Sequence, residues 1–132
     1  MITLDNEAIR LITLFENLTG ASVKDCLIEG NVVYFLIEEG MVGMAIGRNG
    51  RNVKNAERII GKQVKLFEFS KDLRTFVRNL IPQAQDIKIN GERVEVRVDK
   101  IHRPIVIGRE KKNLEVFRKI LKRNFGVDII IR

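Results

Sequence analysis

Gly47-Arg48-Asn49-Gly50 is the stretch of this chain best suited to holding an anion. Glycine has no Cβ and reaches backbone conformations closed to other residues, so two of them around a cation let a ligand lie directly on the main chain. A helical pattern follows the turn, and the unpaired N–H groups and dipole of a helix N-terminus favour negative charge. Arg48, Arg51 and Lys54 supply cations, Asn49 and Asn52 supply polar groups, and Met44, Ile46 and Val53 could form an apolar floor.

A related environment recurs at Ile105-Val106-Ile107-Gly108-Arg109, with Glu110, Lys111, Lys112 and Asn113 after it. This second turn lacks the final glycine, which partly blocks close approach of a ligand to the backbone. Glu110 also opposes an anion, by an interaction on the order of 1 kcal/mol at an exposed site. Against it stand Arg109, Lys111, Lys112, Arg118, Lys119, Lys122 and Arg123, so residues 108–123 are net +5 with Glu110 and Glu115 counted. The expectation is a division of labour, in which the first turn clamps and the second unit adds electrostatic attraction and length.

Other chemistry has little support. The single Cys26 and single His102 offer no metal-ligand set, and no Walker loop, dinucleotide fingerprint or nucleophile–base arrangement is present. No catalysis, cofactor, metal or small-molecule substrate is expected. Cys26 reads as a buried structural thiol and His102 as a solvated loop imidazole. Phe15, Phe35, Phe67, Phe69, Phe76, Phe117 and Phe125 read as core, whereas Tyr34 is a candidate surface stacker.

The elements that must position these groups come in two copies. Aligning residues 9–60 with 70–121, an offset of 61 without a gap, gives ten identities, among them Phe15/Phe76, Gly30/Gly91, Ile46/Ile107, Gly47/Gly108, Arg48/Arg109 and Asn52/Asn113. About three would arise by chance from composition, so the chain is a tandem duplication. In the first copy the periodicity predicts a helix from Ala8 to Leu18 capped by Asp5, strands at 25–29 and 32–38 around a Gly30-Asn31 turn, and a short helix from Val42 to Ile46. A second helix ending at Gly61 and a final strand through Val64, Leu66 and Phe69 follow. The second copy predicts a helix from Leu73 to Leu80 ended by Pro82, and strands near 86–90 and 93–99 with Asn90-Gly91 as a type I′ signal. Ile105–Ile107, a helix from Lys112 to Phe125 and a strand from Val127 to Ile131 complete it. The boundaries are 1–70 and 71–132, and the near absence of a linker predicts that the two units pack as one rigid body.

At 132 residues with a net charge of +7, the chain has the charge of a nucleic-acid partner. Residues 1–70 hold eight Lys/Arg and nine Asp/Glu, whereas residues 71–132 hold sixteen and eight, so the basic excess lies in the second half. The apolar runs are too short to span a bilayer, the start of the chain does not read as a signal peptide, and one cysteine fits a reducing cytoplasm.

The α-β-β-α-α-β order with a Gly-x-x-Gly turn between adjacent helices resembles the type II KH domain. Two such units in tandem are similar to the archaeal NusA-like transcription elongation and termination factors, over essentially the whole chain. The residues that carry the resemblance are Val42–Lys54 and Ile105–Leu114. It implies an α+β fold of two KH domains, each a three-stranded sheet with helices on one face. It further implies single-stranded RNA bound by Met44, Ile46, Gly47, Arg48, Asn49, Gly50, Arg51, Asn52 and Lys54, and in the second unit by Ile107, Gly108, Arg109, Lys111, Lys112 and Asn113. A role in transcription elongation, termination or antitermination follows, with RNA polymerase as a partner in the family. The same residues also fit a KH module for ribosome assembly or other RNA processing, or a protein-interaction scaffold with weakened RNA binding.

Overall fold

A computed structural model of the protein describes residues 5–132, so the first four residues of the expected 1–70 unit lie outside the described range. The described residues fall into two compact units that divide between Ser70 and Lys71.

The first unit runs α1 (Asn6–Thr19), β1 (Val23–Glu29), β2 (Val32–Ile37), α2 (Val42–Ile46), a 3-10 turn (Arg48–Gly50), α3 (Arg51–Ile60) and β3 (Gln63–Glu68). Asp5 caps α1 as expected, its carboxylate accepting the Ala8 N–H at 2.7 Å. Gly20 ends the helix in the left-handed conformation. β1 and β2 pair antiparallel, and β3 joins β2 in parallel, with Val33 opposite Val64. That parallel pairing requires a crossover, and α2, the turn and α3 are the crossover.

Alternation along β2 sends Val33, Phe35 and Ile37 to one face, where they meet Ala8 and Phe15 of α1, Ala45 of α2 and Ala56 of α3. Phe15 and Phe35 stack with ring centroids 4.4 Å apart. Cys26 is part of this core. The turn is therefore fastened at both ends, through Ala45 before it and Ala56 after it.

The second unit repeats the order as α4 (Leu73–Leu80), β4 (Asp86–Asn90), β5 (Arg93–Arg97), α5 (Arg103–Ile107), a 3-10 turn (Arg109–Lys111), α6 (Lys112–Phe125) and β6 (Asp128–Ile131). Its sheet order is β4-β5-β6, again antiparallel then parallel, with Val94 opposite Ile129. Asp72 caps α4 through the Thr75 N–H and hydroxyl. Its buried side chains include Phe76, Leu80, Val94, Val96, Leu114, Phe117 and Ile120. Both units are thus three-stranded α+β folds in the expected element order.

Two details differ from the sequence reading. Asn90 is paired with Arg93 inside the ladder, so the hairpin loop is Gly91-Glu92 and not Asn90-Gly91. Only Gly91 has positive φ there, and only Gly30 in the first hairpin. Positive φ confined to the first loop residue is the type II′ pattern with glycine leading, not type I′. Tyr34, a candidate surface stacker, is 6% exposed and lies parallel to Phe67 with centroids 6.1 Å apart. Its position on the central strand buries it, and that burial, then the nearby Glu29 carboxylate, raises the pKa of its hydroxyl above the ordinary value. The helix α6 spans Lys112–Phe125 as expected, and its fourteen residues exceed the ten of α3 by one helical turn.

Candidate nucleic-acid interface

The first turn contains three unusual conformations within four residues. Gly47, whose N–H bonds the Gly43 carbonyl at 2.9 Å, adopts φ 76°, ψ 170°, a region open essentially to glycine alone. Asn49 (φ 57°, ψ 27°) and Gly50 (φ 74°, ψ 16°) are both left-handed, and Arg51 (φ −58°, ψ −44°) begins α3. Asparagine is among the residues that tolerate this conformation. The Gly50 N–H closes the turn on the Gly47 carbonyl at 3.1 Å.

Asn52 holds this geometry. Its amide donates to the Met44 carbonyl at 2.8 Å, bridging α2 and α3 across the turn. The same side chain lies on Gly47, where an added Cβ would come within 2.7 Å of Asn52 Cγ. Around Gly50 the space is open: an added Cβ would meet only Lys54 Cε, at 3.6 Å. The first glycine is therefore required by the turn's construction, whereas the second leaves a surface clear.

That surface combines apolar and cationic groups. Met44 and Ile46 are 51% and 41% exposed on either side of the buried Ala45. Arg48, Asn49, Arg51 and Lys54 are exposed beside them, and no acidic residue occurs between Gly40 and Ala56. No side chain caps the start of α3, where the first N–H groups of a helix have no partner within the helix. Val53 contributes less to a floor than its position implies, because it packs against the core.

The second turn reproduces the backbone without the glycine. Gly108 (φ 82°, ψ 167°), Glu110 (φ 55°, ψ 27°) and Lys111 (φ 62°, ψ 24°) match their counterparts within about ten degrees. Asn113 repeats the bridge, donating to the Ile105 carbonyl at 3.2 Å, and a Cβ on Gly108 would come within 2.8 Å of its Cγ. Lys111 thus holds a left-handed conformation that costs a non-glycine residue about 1 kcal/mol. Ile105 is 65% exposed, Ile107 half-buried, and Arg109, Lys111 and Lys112 exposed.

Each unit therefore gathers its sequence-derived residues at one turn. Asn52 and Asn113 are the exception in role, since one amide group of each is engaged inside the turn. Two groups escaped the sequence reading. Ile101, before α5, is 81% exposed. His102, exposed as expected, is not unpartnered: Asp99 accepts its backbone N–H at 2.8 Å and lies 2.9 Å from Nδ1. Those hydrogen bonds hold the Asp99 carboxyl below its usual pKa. The Asp-x-x-His spacing at a loop–helix junction was the available signal.

Comparison with known proteins follows the same outline. The KH domain family model matches residues 10–77. A protein of Methanococcus vannielii named "Probable transcription termination protein NusA" is 38% identical over 96% of this chain and 76% of its own length. Proteins of the same name from Methanocaldococcus jannaschii (37% identity, 93% of this chain, 70% of that one) and Halococcus morrhuae (34%, 98% and 96%) are also similar. The crystal structure of APE1850 superposes with a TM-score of 0.81 at 31% identity, over 98% of this chain and 100% of that one.

Proposed function

Because the chain belongs to the archaeal NusA-like KH family, we propose that it is an RNA-binding factor of transcription whose first turn clamps single-stranded RNA. The observation that carries this reading is the open backbone at Gly50, flanked by exposed Met44 and Ile46 and by exposed Arg48, Arg51 and Lys54 in a segment with no acidic residue between Gly40 and Ala56. A single strand presents unpaired bases and a flexible phosphate chain, and KH folds grip about four nucleotides beside such a turn. Met44 and Ile46 receive base faces, the cations and the α3 amides receive phosphates, and Asn49 reaches base edges or the backbone. Asn52 holds the turn in the conformation that makes this surface. The second unit, with Ile107, Gly108, Arg109, Lys111, Lys112 and Asn113 in matching positions, extends the contact mainly through charge.

The transcriptional step follows from kinship: the chain holds nascent RNA during elongation, termination or antitermination, with RNA polymerase nearby. Fluorescence anisotropy with a short single-stranded RNA at physiological salt tests the clamp. Gly50→Asp is expected to weaken binding at least tenfold, and undiminished affinity would overturn the assignment. Co-purification with polymerase supports the transcriptional reading, whereas recovery with ribosomal subunits would replace it.

A further inference from the structure

We propose that His102, with Ile101 and Ile105 beside it, forms a platform in the second unit on which an unpaired base stacks. The proposal rests on the single-strand reading above and adds a base contact to the charge of the second turn. Among the described residues His102 carries the one aromatic ring open to solvent: its side chain is 48% exposed, whereas no phenylalanine or tyrosine is exposed. Ile101 (81%) and Ile105 (65%) are the most exposed large apolar side chains of those residues. Apolar groups gathered at one exposed place mark interaction sites, as scattered ones do not.

The ring is held before any ligand arrives. The Asp99 carboxylate accepts the His102 backbone N–H at 2.8 Å, and its two oxygens lie 2.9 and 3.0 Å from Nδ1. A carboxylate only accepts, so Nδ1 carries the proton. A ring fixed in this way loses little freedom when a base settles on it. The Arg103 N–H donates to the Asp99 carbonyl and the Val106 N–H to the His102 carbonyl, so helical winding begins ahead of α5. Ile101, Ile105 and Gly108 then recur at i, i+4 and i+7, with His102 three before Ile105. The platform therefore leads into the second turn.

The repeat shows that the fold does not require these groups. At the offset of 61, Gly40, Met41 and Met44 stand in place of Ile101, His102 and Ile105. Met41 is half-buried against the core, and nothing lies within 4 Å of a Cβ added at Gly40. The second unit turns a ring outward where the first packs its side chain inward, and adds an isoleucine over bare backbone. Asp99 then selects what can sit there. Its charge repels a phosphate, whereas the imidazole and the isoleucines suit the uncharged face of a base, and histidine is among the residues on which bases stack. Lys100, exposed next to them, is placed for the adjoining phosphate.

His102 is the single histidine of the chain, so its Hε1 and Hδ2 resonances report on this site alone. The full chain is titrated with a short single-stranded RNA and, separately, with an abasic strand of the same length and charge. The ring current of a stacked base is expected to move both resonances upfield with the RNA only. His102→Ala is expected to weaken RNA binding about fivefold, the low end for a base on an aromatic side chain. His102→Phe keeps a ring without its nitrogens and is expected to stay within about twofold of the unaltered chain. Resonances that stay in place, or move equally with the abasic strand, would overturn the proposal. So would an unchanged affinity in His102→Ala, or an equal loss in His102→Phe, which would make the imidazole a polar contact. Asp99→Asn, whose amide oxygen still accepts both N–H groups, is expected to keep the upfield shift and Asp99→Ala to reduce it. An undiminished shift in Asp99→Ala would show that the acid does not position the ring. Gly50→Asp separates the platform from the clamp. If it leaves single-strand binding intact while the imidazole moves upfield, the clamp fails and the platform stands. If it abolishes binding while the imidazole of the unaltered chain does not move, the platform fails and the clamp stands.

Discussion

The two glycines of the first turn make different demands, and Gly47→Ala against Gly50→Ala separates them. At Gly47 an alanine enters a backbone region that costs a non-glycine residue on the order of 1–3 kcal/mol. Its Cβ also lies 2.7 Å from Asn52 Cγ, so the carboxamide must move and its 2.8 Å hydrogen bond to Met44 is lost, about 1 kcal/mol more. The sum is roughly 2–4 kcal/mol. At Gly50 the left-handed conformation costs alanine about 1 kcal/mol, partly offset by roughly 0.4–1 kcal/mol from a stiffer unfolded chain. Nothing there is displaced, since the nearest atom is a flexible lysine carbon at 3.6 Å. Lys111 already occupies the equivalent conformation in the second unit. Urea denaturation followed by circular dichroism reads the difference: at a slope near 1 kcal/mol/M, the midpoint falls by about 2 M or more for Gly47→Ala and by less than about 1 M for Gly50→Ala. Hydrogen exchange of the α3 amides localises the effect. Equal losses, or a larger one at Gly50, would refute the separation of a structural from a ligand-facing glycine.

Three further outcomes follow from the geometry. Asn52→Asp removes the donor to the Met44 carbonyl and faces it with a carboxylate; faster exchange at α2 and α3 amides, with at least about 1 kcal/mol of lost stability, is expected. The double variant Glu110→Asn/Lys111→Gly copies the first turn onto the second and is expected to tighten single-stranded RNA binding several-fold, measured by anisotropy; no change would exclude the second turn from the contact. Asp72 is held below its usual pKa by the Thr75 hydroxyl and N–H, and Asp99 by the His102 N–H and imidazole. A depressed folded-state pKa contributes stability above the unfolded value and loses it as pH falls through the folded value. Urea midpoints should therefore drop on acidification below the ordinary carboxylate range, and less steeply in Asp72→Asn and Asp99→Asn.

Much of the fold was legible because its signals are local. The offset of 61 exposed the duplication, helical spacing and the caps Asp5, Gly20 and Gly61 bounded the helices, and β-branched runs marked the strands. The hairpin at Gly91 slipped by one residue because Asn-Gly is a strong type I′ signal, while the ladder register of β4 and β5 overruled it. Tyr34 was misplaced because its burial depends on groups distant in sequence. The site was legible as a cluster but not in its internal roles. Asn52/Asn113 stood out in the repeat as an identity five residues after each first glycine, yet that the carboxamide lies on the glycine is a fact of tertiary geometry. Nor does spacing reveal that Lys111 holds a left-handed turn, since that strain is supported by the rest of the unit.

The claim that the first turn is the RNA clamp is tested most directly by titrating the full ¹⁵N-labelled chain with a short single-stranded RNA. The largest amide shifts are expected from Met44 to Lys54, at the N–H groups of the turn and the start of α3. Shifts that leave those amides unmoved while appearing elsewhere would contradict the account.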